Sequence, residues 1–265
     1  MKRPLPEPET QSEPSTSLLL SAPLPAFLPP PGKPPSSHPS KILPNILSSL
    51  SSHPLVFAHD DTFAVVYDGY PKSAAGHLLV LLPGHPSIGS LNDVTAAHLP
   101  IFLEMQELAD KLCKHIAPSP KHPPLVGFHA IPSLRPLHLH VLPSGLVDGP
   151  LRTLRHVTTF STPFFVPLSA VISFLSSSLI PVPLRVKADR ARALETAAAA
   201  TTTLRCHLCK GWTCAPSAGS VAVRLSLWRE HQRECPGGAA GGRGAGQVSS
   251  LLEWGIEDPL GKLHQ

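Results

Sequence analysis

Two histidines stand two residues apart in an apolar segment, Pro136-Leu-His138-Leu-His140-Val-Leu142. If this segment is a strand, successive side chains point to opposite faces, so His138 and His140 share one face while their apolar neighbours enter the core. A single histidine in such a strand is more often a satisfied core residue. Two on one face, with His77 and His129 in other apolar segments, favour nucleophilic or acid–base chemistry.

Four other residues have the spacing of a metal site. Cys206 and Cys209 form a Cys-x2-Cys pair, and His231 and Cys235 form a His-x3-Cys pair after a gap of 21 residues. The two pairs supply four ligands for a tetrahedral structural zinc, although the gap exceeds the roughly 12 residues of the usual zinc-finger pattern. The alternative is a loosely folded tail without metal. Two spare ligand candidates lie in the same region, Cys214 and His207.

Apolar patterning predicts the elements that carry these residues. Alternating or continuous apolar runs bounded by turn residues predict four strands, over 62–67, 77–82, 125–131 and 137–142. Apolar residues at helical spacing predict a long helix from Asn92 or Asp93 to about His115, and a second helix is expected over 168–180. An antiparallel sheet with one long helix across it is an α+β fold.

Charge is distributed unevenly along the 265 residues. Residues 54–149 hold five Lys/Arg and eight Asp/Glu, whereas residues 150–235 hold eleven and four. This split favours chemistry in the first part and a polyanionic partner for the second, although a solvated basic face explains it equally well. Zinc would then hold a basic helix against a phosphate backbone. The basic residues of this helix are Arg224, Arg229 and Arg233.

Composition sets the expected domain boundaries. Residues 1–53 contain 13 of the 33 prolines and many serines, which predicts a disordered arm with one or two helical turns near 42–50. A catalytic domain is expected over 54–185, a linker and zinc finger over 186–235, and a flexible tail over 236–265. No apolar run reaches the 18 residues of a membrane span, and the first residues lack the apolar stretch of a secretory signal. The cysteine spacing suits metal in a reducing compartment.

The segment around His138 resembles the signature strand of the histidine-triad superfamily, in which three histidines alternate with apolar residues. Pro136 occupies the first of the three positions, His138 the second and His140 the third, and most members have histidine at the first. Within the superfamily, the chain resembles the short members of a DNA-repair branch that carry a zinc finger and lack a forkhead-associated domain. The similarity runs in order from about residue 55 to residue 235, through 68–72, 77–83, 127–133, 156–161 and 204–209.

The resemblance implies a role for each candidate residue. The histidine at the second position, His138, would attack the α-phosphorus of a nucleotide, and His129 would protonate the leaving group. His77 would support the nucleophile. Donors to the phosphoryl oxygens would come from His77, His140 and Ser133. Asp68 matches the family's ribose-binding aspartate, and Lys72 matches a basic position beside the nucleotide pocket, although an exposed turn lysine is an equally good interpretation.

As a whole, the resemblance implies a nuclear, monomeric DNA 5′-adenylate hydrolase with one structural zinc, acting on adenylated DNA ends or nicks. Most family members close the zinc site with histidine where this chain has Cys235. One alternative is a general nucleoside phosphoramidase or dinucleoside polyphosphate hydrolase. Another, suggested by Pro136, is a DNA-end-binding protein that has lost its activity. The sequence does not indicate a partner for the proline-rich arm.

Overall fold

The structure is a computed structural model in which most residues between 17 and 235 are described. The described residues are 17–28, 39–120, 122–146, 149–161, 164–177, 192, 193, 196, 204–206, 208, 209 and 212–235. The predicted tail over 236–265 and nearly all of the expected linker lie outside them.

One antiparallel sheet of six strands forms the centre of the fold. The strands are β1 (Val56–His59), β2 (Ala64–Tyr67), β3 (Leu78–Leu81), β4 (Leu125–His129), β5 (His138–Leu142) and β6 (Phe165–Pro167). Their order in the sheet is β1-β2-β3-β5-β4-β6, so β5 lies between β3 and β4. The four predicted strands are confirmed with slightly shorter bounds, and β1 and β6 are additional short strands.

Two helices cover one face of this sheet. The long predicted helix is confirmed as α3 (Leu99–Ile116), which buries Phe102, Met105 and Leu108 in the main core. It begins later than predicted because two short 3-10 turns, Leu91–Asp93 and Ala96–His98, precede it. The second predicted helix is α5 (Leu168–Ser177), which packs against α3. The α+β fold class is therefore confirmed.

Part of the proline-rich segment 1–53 is folded, and this part includes residues 17–28, which lie outside the helical turns expected near 42–50. A short helix, α1 (Leu18–Ser21), buries Leu19 against the main core. The helical turns expected near 42–50 are confirmed as α2 (Pro39–Leu47), whose Leu43 and Ile46 are also buried in that core. Apolar side chains spaced three residues apart on α2 supply enough contact to order a proline-containing segment.

The C-terminal elements share a second apolar core with the other side of the sheet. They are the hairpin β7 (Leu204–Arg205) and β8 (Thr213–Cys214) and the helix α6 (Val221–Glu234). Trp228 of α6 is fully buried in a cluster with Leu151 and with Phe160 of α4 (Leu154–Ser161). In the described part of the chain, no helix is both long and apolar enough to cross a membrane.

Candidate active site and metal centre

The strand β5 presents its two histidines to the same side of the sheet. His138 and His140 are only 4% and 5% exposed, whereas Leu139 and Val141 point into the core shared with α3. The alternation predicted from the sequence is thus confirmed. Both imidazoles lie where apolar residues would ordinarily pack, so the surrounding residues must satisfy their polar atoms.

A chain of polar contacts connects His140 with an aspartate on the neighbouring hairpin. His77 precedes β3, and its Nε2 lies 3.0 Å from Nδ1 of His140. The Nδ1 of His77 lies 3.2 Å from Oδ2 of Asp68, the residue after β2. The Asp68 amide donates to the His77 carbonyl at 2.9 Å, which closes the β2–β3 hairpin beside the site. The sequence named both residues, but their contact could be seen only in the fold.

The Asp68 carboxylate determines the tautomers along this chain. A carboxylate can only accept, so Nδ1 of His77 carries the proton and donates to it. The Lys72 N–H also points to this nitrogen at 3.3 Å, as a donor that would need an unprotonated Nδ1. We assign the proton to Nδ1 because the charged carboxylate is the stronger partner. The Nε2 of His77 then accepts the Nδ1 proton of His140. This arrangement leaves a lone pair on Nε2 of His140, a buried atom without a hydrogen-bond partner among the described residues.

The backbone before β5 fixes the tautomer of His138. Its Nδ1 lies 2.9 Å from the carbonyl oxygen of Pro136 and donates to it. The free lone pair of the ring is therefore on Nε2, which is the nitrogen available to attack an electrophile. Proline retains its carbonyl group, so this contact does not require a histidine at position 136. The Arg135–Pro136 peptide bond is cis.

His129 and one phenylalanine complete the cluster. His129 ends β4, and its ring centroid is 4.2 Å from that of His140. The ring of Phe160 on α4 lies 4.8 Å from His129, 5.4 Å from His140 and 5.8 Å from His77, centroid to centroid. The sequence assigned no role to Phe160, although it lies in one of the segments that carry the family resemblance. An apolar wall on this side keeps the imidazoles away from water.

Burial keeps these imidazoles neutral at physiological pH. Removal from water lowers the pKa of His77 to about 4, even though the neighbouring Asp68 carboxylate raises it. Burial, together with His138 and His77, lowers the pKa of His129 to about 3. The pKa values of His138 and His140 also lie below the usual value, again mainly because of burial. A neutral imidazole is the form that can act as a nucleophile.

The four predicted metal ligands converge at the other end of the described chain. The Sγ atoms of Cys206 and Cys235 are 3.6 Å apart, and Sγ of Cys209 is 3.5 Å from Nε2 of His231. All four ligand atoms lie within 4.8 Å of one another. A tetrahedral zinc with Zn–S bonds of about 2.3 Å would set its sulfurs roughly 3.8 Å apart, so the cluster fits that ion. Cys214 is not part of this cluster, and His207 lies outside the described residues.

Surrounding groups are arranged as expected around a thiolate ligand. The amides of Leu208 and Cys209 donate to Sγ of Cys206 at 3.3 and 3.4 Å, and the Gln232 side chain donates to it at 2.9 Å. Trp212 stacks on His231 with ring centroids 4.8 Å apart and planes 8° from parallel. Such contacts fix the orientation of ligands and support a negative charge on sulfur.

Comparison with known proteins finds similar sequences over part of the chain. A sequence family described as scavenger mRNA decapping enzyme C-term binding matches residues 41–148, which include Asp68 and all four clustered histidines. Aprataxin of Danio rerio is 33% identical over 150 residues, which are 57% of this chain and 43% of that protein. Aprataxin of Gallus gallus is 32% identical over 163 residues, 62% of this chain and 48% of that protein. The chain is therefore similar to aprataxins over more than half of its length.

The similarity covers part of each chain. This aprataxin-like chain spans less than half the length of the two curated relatives. A crystal structure of the aprataxin ortholog Hnt3 in complex with DNA is 23% identical and has a TM-score of 0.47, covering 71% of this chain and 92% of that one. The α+β fold of this chain is established by its own strands and helices.

The remaining predicted site residues of the aprataxin-like domain differ in their surroundings. Lys72 is half-buried, and its pKa is lowered by burial although Asp68 opposes this effect. Its ammonium group donates to the carbonyl of Tyr70. Lys72 is therefore not a fully exposed turn lysine. Ser133 is exposed on the segment between β4 and β5, and its predicted contact with a phosphoryl oxygen stays a prediction.

The prediction that three arginines of the finger helix face a phosphate backbone is wrong for Arg224 and Arg229. Arg224 is only 5% exposed and lies on the same side of α6 as the buried Trp228. Arg229 donates to the carbonyl of Leu151 in the interface with the catalytic part. Arg233 is exposed, as are the acidic residues Glu230 and Glu234 on the same helix. The reason is packing, because the helix face that carries Arg224 and Arg229 is turned toward the rest of the protein.

Proposed function

We propose that this chain is a DNA 5′-adenylate hydrolase that removes AMP from abortive ligation ends through an adenylyl group on His138. The proposal is carried by two hydrogen bonds in one buried site, which together determine the tautomers of His138 and His77. The Pro136 carbonyl leaves Nε2 of His138 free to attack, and the Asp68–His77–His140 chain lies directly beside it. The substrate class is the one that the family resemblance of the sequence implies.

The proposed reaction has two steps. Nε2 of His138 attacks the phosphorus of the AMP group, a P–N bond forms, and the bond from that phosphorus to the oxygen of the DNA 5′-phosphate breaks. DNA leaves with its 5′-phosphate, and His129 gives a proton to the departing oxygen. Water then cleaves the P–N bond, which releases AMP and restores His138.

Substrate binding would let His129 take up from solvent the proton that this step needs. In the free protein His129 is neutral, because burial lowers its pKa to about 3. An anionic phosphate near the ring is an opposite charge and raises the pKa of an imidazole. The lone pair on Nε2 of His140 can likewise take up a proton and then donate to a phosphoryl oxygen. We expect AMP-ester binding to be accompanied by proton uptake.

Asp68 would serve two purposes in this scheme. Its Oδ1 accepts the Tyr70 amide at 2.7 Å and its Oδ2 accepts the proton of His77. Each carboxylate oxygen has a further lone pair, so contact with ribose hydroxyls is compatible with both bonds. Burial raises its pKa, but His77, Lys72, the Tyr70 amide and His138 together lower the pKa below its usual value, which keeps Asp68 ionised for both tasks.

Basic residues at the rim of this site provide the DNA contact that the finger helix was expected to make. His156 lies close enough to Lys72, Arg152 and Arg155 for each of them to lower its pKa, with burial as the larger cause. Arg152 and Arg155 are exposed. Gly149 brings the two segments together, because a Cβ at this position would lie 1.8 Å from the Lys72 carbonyl oxygen. We call these four basic residues the basic rim, and we assign DNA phosphates to it.

The metal would be held by the four clustered ligands named above. A bound zinc would fix the β7–β8 hairpin to α6 and would take no part in phosphoryl transfer. We propose that residues 54–185 form the catalytic domain and that residues 186–235 form a linker and the zinc finger. A DNA-end substrate implies a nuclear location.

The decisive experiment is a single-turnover assay with a 5′-adenylated nicked duplex and excess protein. We expect AMP release, and a quench in alkaline denaturant, which preserves a P–N bond, should yield an AMP adduct that maps to His138. His138→Ala should slow release by roughly 10³ or more, whereas the exposed His59→Ala should not. Residual activity of His138→Ala within tenfold of the parent, or an adduct on His140 or His129, would contradict the assignment.

The same assay separates the alternatives. Equal turnover of adenylated DNA and of adenosine phosphoramidate or a dinucleoside polyphosphate would favour a general nucleotide hydrolase. Tight binding of adenylated DNA without AMP release over hours would favour an end-binding protein. The basic rim favours the DNA substrate, because a small soluble nucleotide does not require it.

A further inference from the structure

The segment 17–28, which we call the N-terminal strap, is held across the fold at its first end. Ser17 donates its hydroxyl to Oδ2 of Asp60 at 2.5 Å, and the Leu19 amide donates to the same oxygen at 3.0 Å. Lys111 of α3 donates to the carbonyls of Leu19 and Leu20 at 2.7 and 3.0 Å, and also to that of Ala22. Because these partners are distant in sequence, the strap is part of the tertiary structure.

The other end of the strap packs beside the active-site hairpin. The ring of Phe27 lies 5.6 Å from that of Tyr67 and 5.9 Å from that of Phe57, between centroids. The Tyr67 hydroxyl also hydrogen-bonds the backbone at Leu28. Gly76 has φ of +134°, and a Cβ there would lie 2.8 Å from Cζ of Phe27. The positive φ favours glycine at position 76, and any larger residue there would also displace the Phe27 ring.

The residues that Phe27 touches are direct neighbours of the site. Tyr67 precedes Asp68, and Gly76 precedes His77. The Asp68–His77 contact of 3.2 Å depends on how these two hairpin ends are held together. Movement of Tyr67 or Gly76 by a fraction of an ångström would change this contact and the tautomer chain that leads to His140.

We propose that the N-terminal strap is a positioning element of the active site, and that Phe27 is the residue through which it holds Asp68 against His77. The inference rests on the proposed function for its reaction, but its structural part concerns the Asp68–His77 contact alone. Phe27 is a positioning residue, because it touches Tyr67 and Gly76 beside the site and is not part of the histidine cluster.

The test compares Phe27→Ala with Leu18→Ala in the full chain. Leu18 belongs to the same strap and is 70% exposed, so its variant controls for general effects of altering the segment. Hydrolysis of a fluorogenic AMP phosphoramidate gives kcat and KM without DNA. We expect Phe27→Ala to lower kcat about 10–100-fold, as loss of a supporting residue does, with KM changed less than about threefold. Phe27→Leu should retain an intermediate kcat.

A spectroscopic readout isolates positioning from stability. In nitrogen-15 NMR spectra of the imidazoles, Nδ1 of His77 should be the protonated nitrogen in the parent and in Leu18→Ala. In Phe27→Ala its proton should exchange faster with water and its signal should move toward that of a mixed tautomer. An unchanged His77 signal together with an unchanged kcat would overturn the proposal, as would an equal effect of Leu18→Ala.

A second variant covers the case in which Phe27→Ala does not fold. Lys111→Met removes three hydrogen bonds at the first end of the strap and leaves the Phe27 ring in place. We expect the same faster exchange and shift of the His77 signal, with a smaller fall in kcat. A His77 signal like that of the parent would contradict the role of the strap. A protein that hydrolyses the phosphoramidate but not adenylated DNA overturns the proposed substrate and leaves this test intact. If neither is hydrolysed, the NMR comparison still decides the inference.

Discussion

At the scale of single residues, two acceptors outside the histidine cluster determine its chemistry. The Pro136 carbonyl and the Asp68 carboxylate each accept an Nδ1 proton, from His138 and His77 respectively. A carbonyl and a carboxylate have no protons to give, so the lone pairs of His138 and His140 are directed to their Nε2 atoms. Burial of the rings then keeps these lone pairs unprotonated at neutral pH.

Burial of neutral histidines predicts a pH dependence of stability. In the unfolded chain a histidine titrates near pH 6.5, whereas the pKa of His129 in the fold is about 3. Between these values the unfolded chain binds more protons, so stability rises with pH there. The contribution of neutral His129 to the free energy of unfolding is fully present above about pH 6.5, and it is lost as the pH falls toward 3.

The variant His129→Phe removes this titration and keeps an aromatic ring against Phe160. We expect the free energy of unfolding to fall between pH 7 and pH 4 in the parent, and to fall less in His129→Phe, by on the order of 1–3 kcal/mol. Urea denaturation followed by circular dichroism at the two pH values measures the difference. The exposed His59→Phe serves as control and should behave as the parent. An equal fall in His129→Phe would show that His129 is not buried as a neutral ring.

At the scale of elements, the metal centre joins a hairpin to a helix end. Cys206 and Cys209 lie where β7 turns toward β8, whereas His231 is in the last turn of α6 and Cys235 follows it. A residue pair four apart at a helix end puts both ligands on one side, facing the hairpin. Cys235 occupies this position as well as a histidine would, because thiolate is a good zinc ligand.

The ligand set predicts which cysteines hold metal. We expect the purified chain to contain one zinc, measured by mass spectrometry of the metal after gel filtration. Cys206→Ser and Cys235→Ser should lose most of it, because each removes one of four ligands. Cys214→Ala is the matched control, since this buried cysteine is not part of the ligand cluster. Loss of metal in Cys214→Ala equal to that in Cys235→Ser would show that the ligand set is wrong.

At the scale of the whole molecule, the finger and the catalytic part are joined by packing. Trp228 is completely buried in the core that also contains Phe160, and Phe160 contacts three of the clustered histidines. Arg229 of α6 binds the carbonyl of Leu151, next to Arg152 of the basic rim. Removal of the finger would therefore expose apolar surface beside the active site, and the two parts are expected to act as one DNA-binding unit.

The basic rim predicts the salt dependence of DNA binding. We expect the double variant Arg152→Gln/Arg155→Gln to weaken binding of a nicked duplex and to reduce the slope of log K against log salt by roughly 1 for each phosphate that it no longer neutralises. Lys114→Gln on α3, across the sheet from the histidines, is a control with the same type of charge removal. Fluorescence anisotropy at several salt concentrations measures the slopes. Equal slopes for the double variant and Lys114→Gln would contradict the role of the rim.

The sequence by itself determined the groups that could do chemistry. The pair His138 and His140 was assigned to one face because a strand alternates its side chains with a period of two, and this periodicity is a local property of the backbone. The metal ligands were found in the same way, because the Cys206–Cys209 and His231–Cys235 spacings suit a turn and a helix end. The long helix and four strands followed from apolar periods that hold over many residues.

The tertiary structure decided which partners those groups have. Phe160 contacts histidines on other segments, and Phe27 packs against Tyr67 and Gly76 beside the site. The Pro136 carbonyl binds His138 through the backbone. The pattern of side chains along the sequence carries none of this information. The arginines of α6 are a second example. The sequence shows that Arg224 and Arg229 are charged, but it does not show whether their side of the helix faces solvent or protein. Packing of a helix against a neighbouring core is set by the whole set of buried apolar contacts, and it directed these two arginines toward the protein.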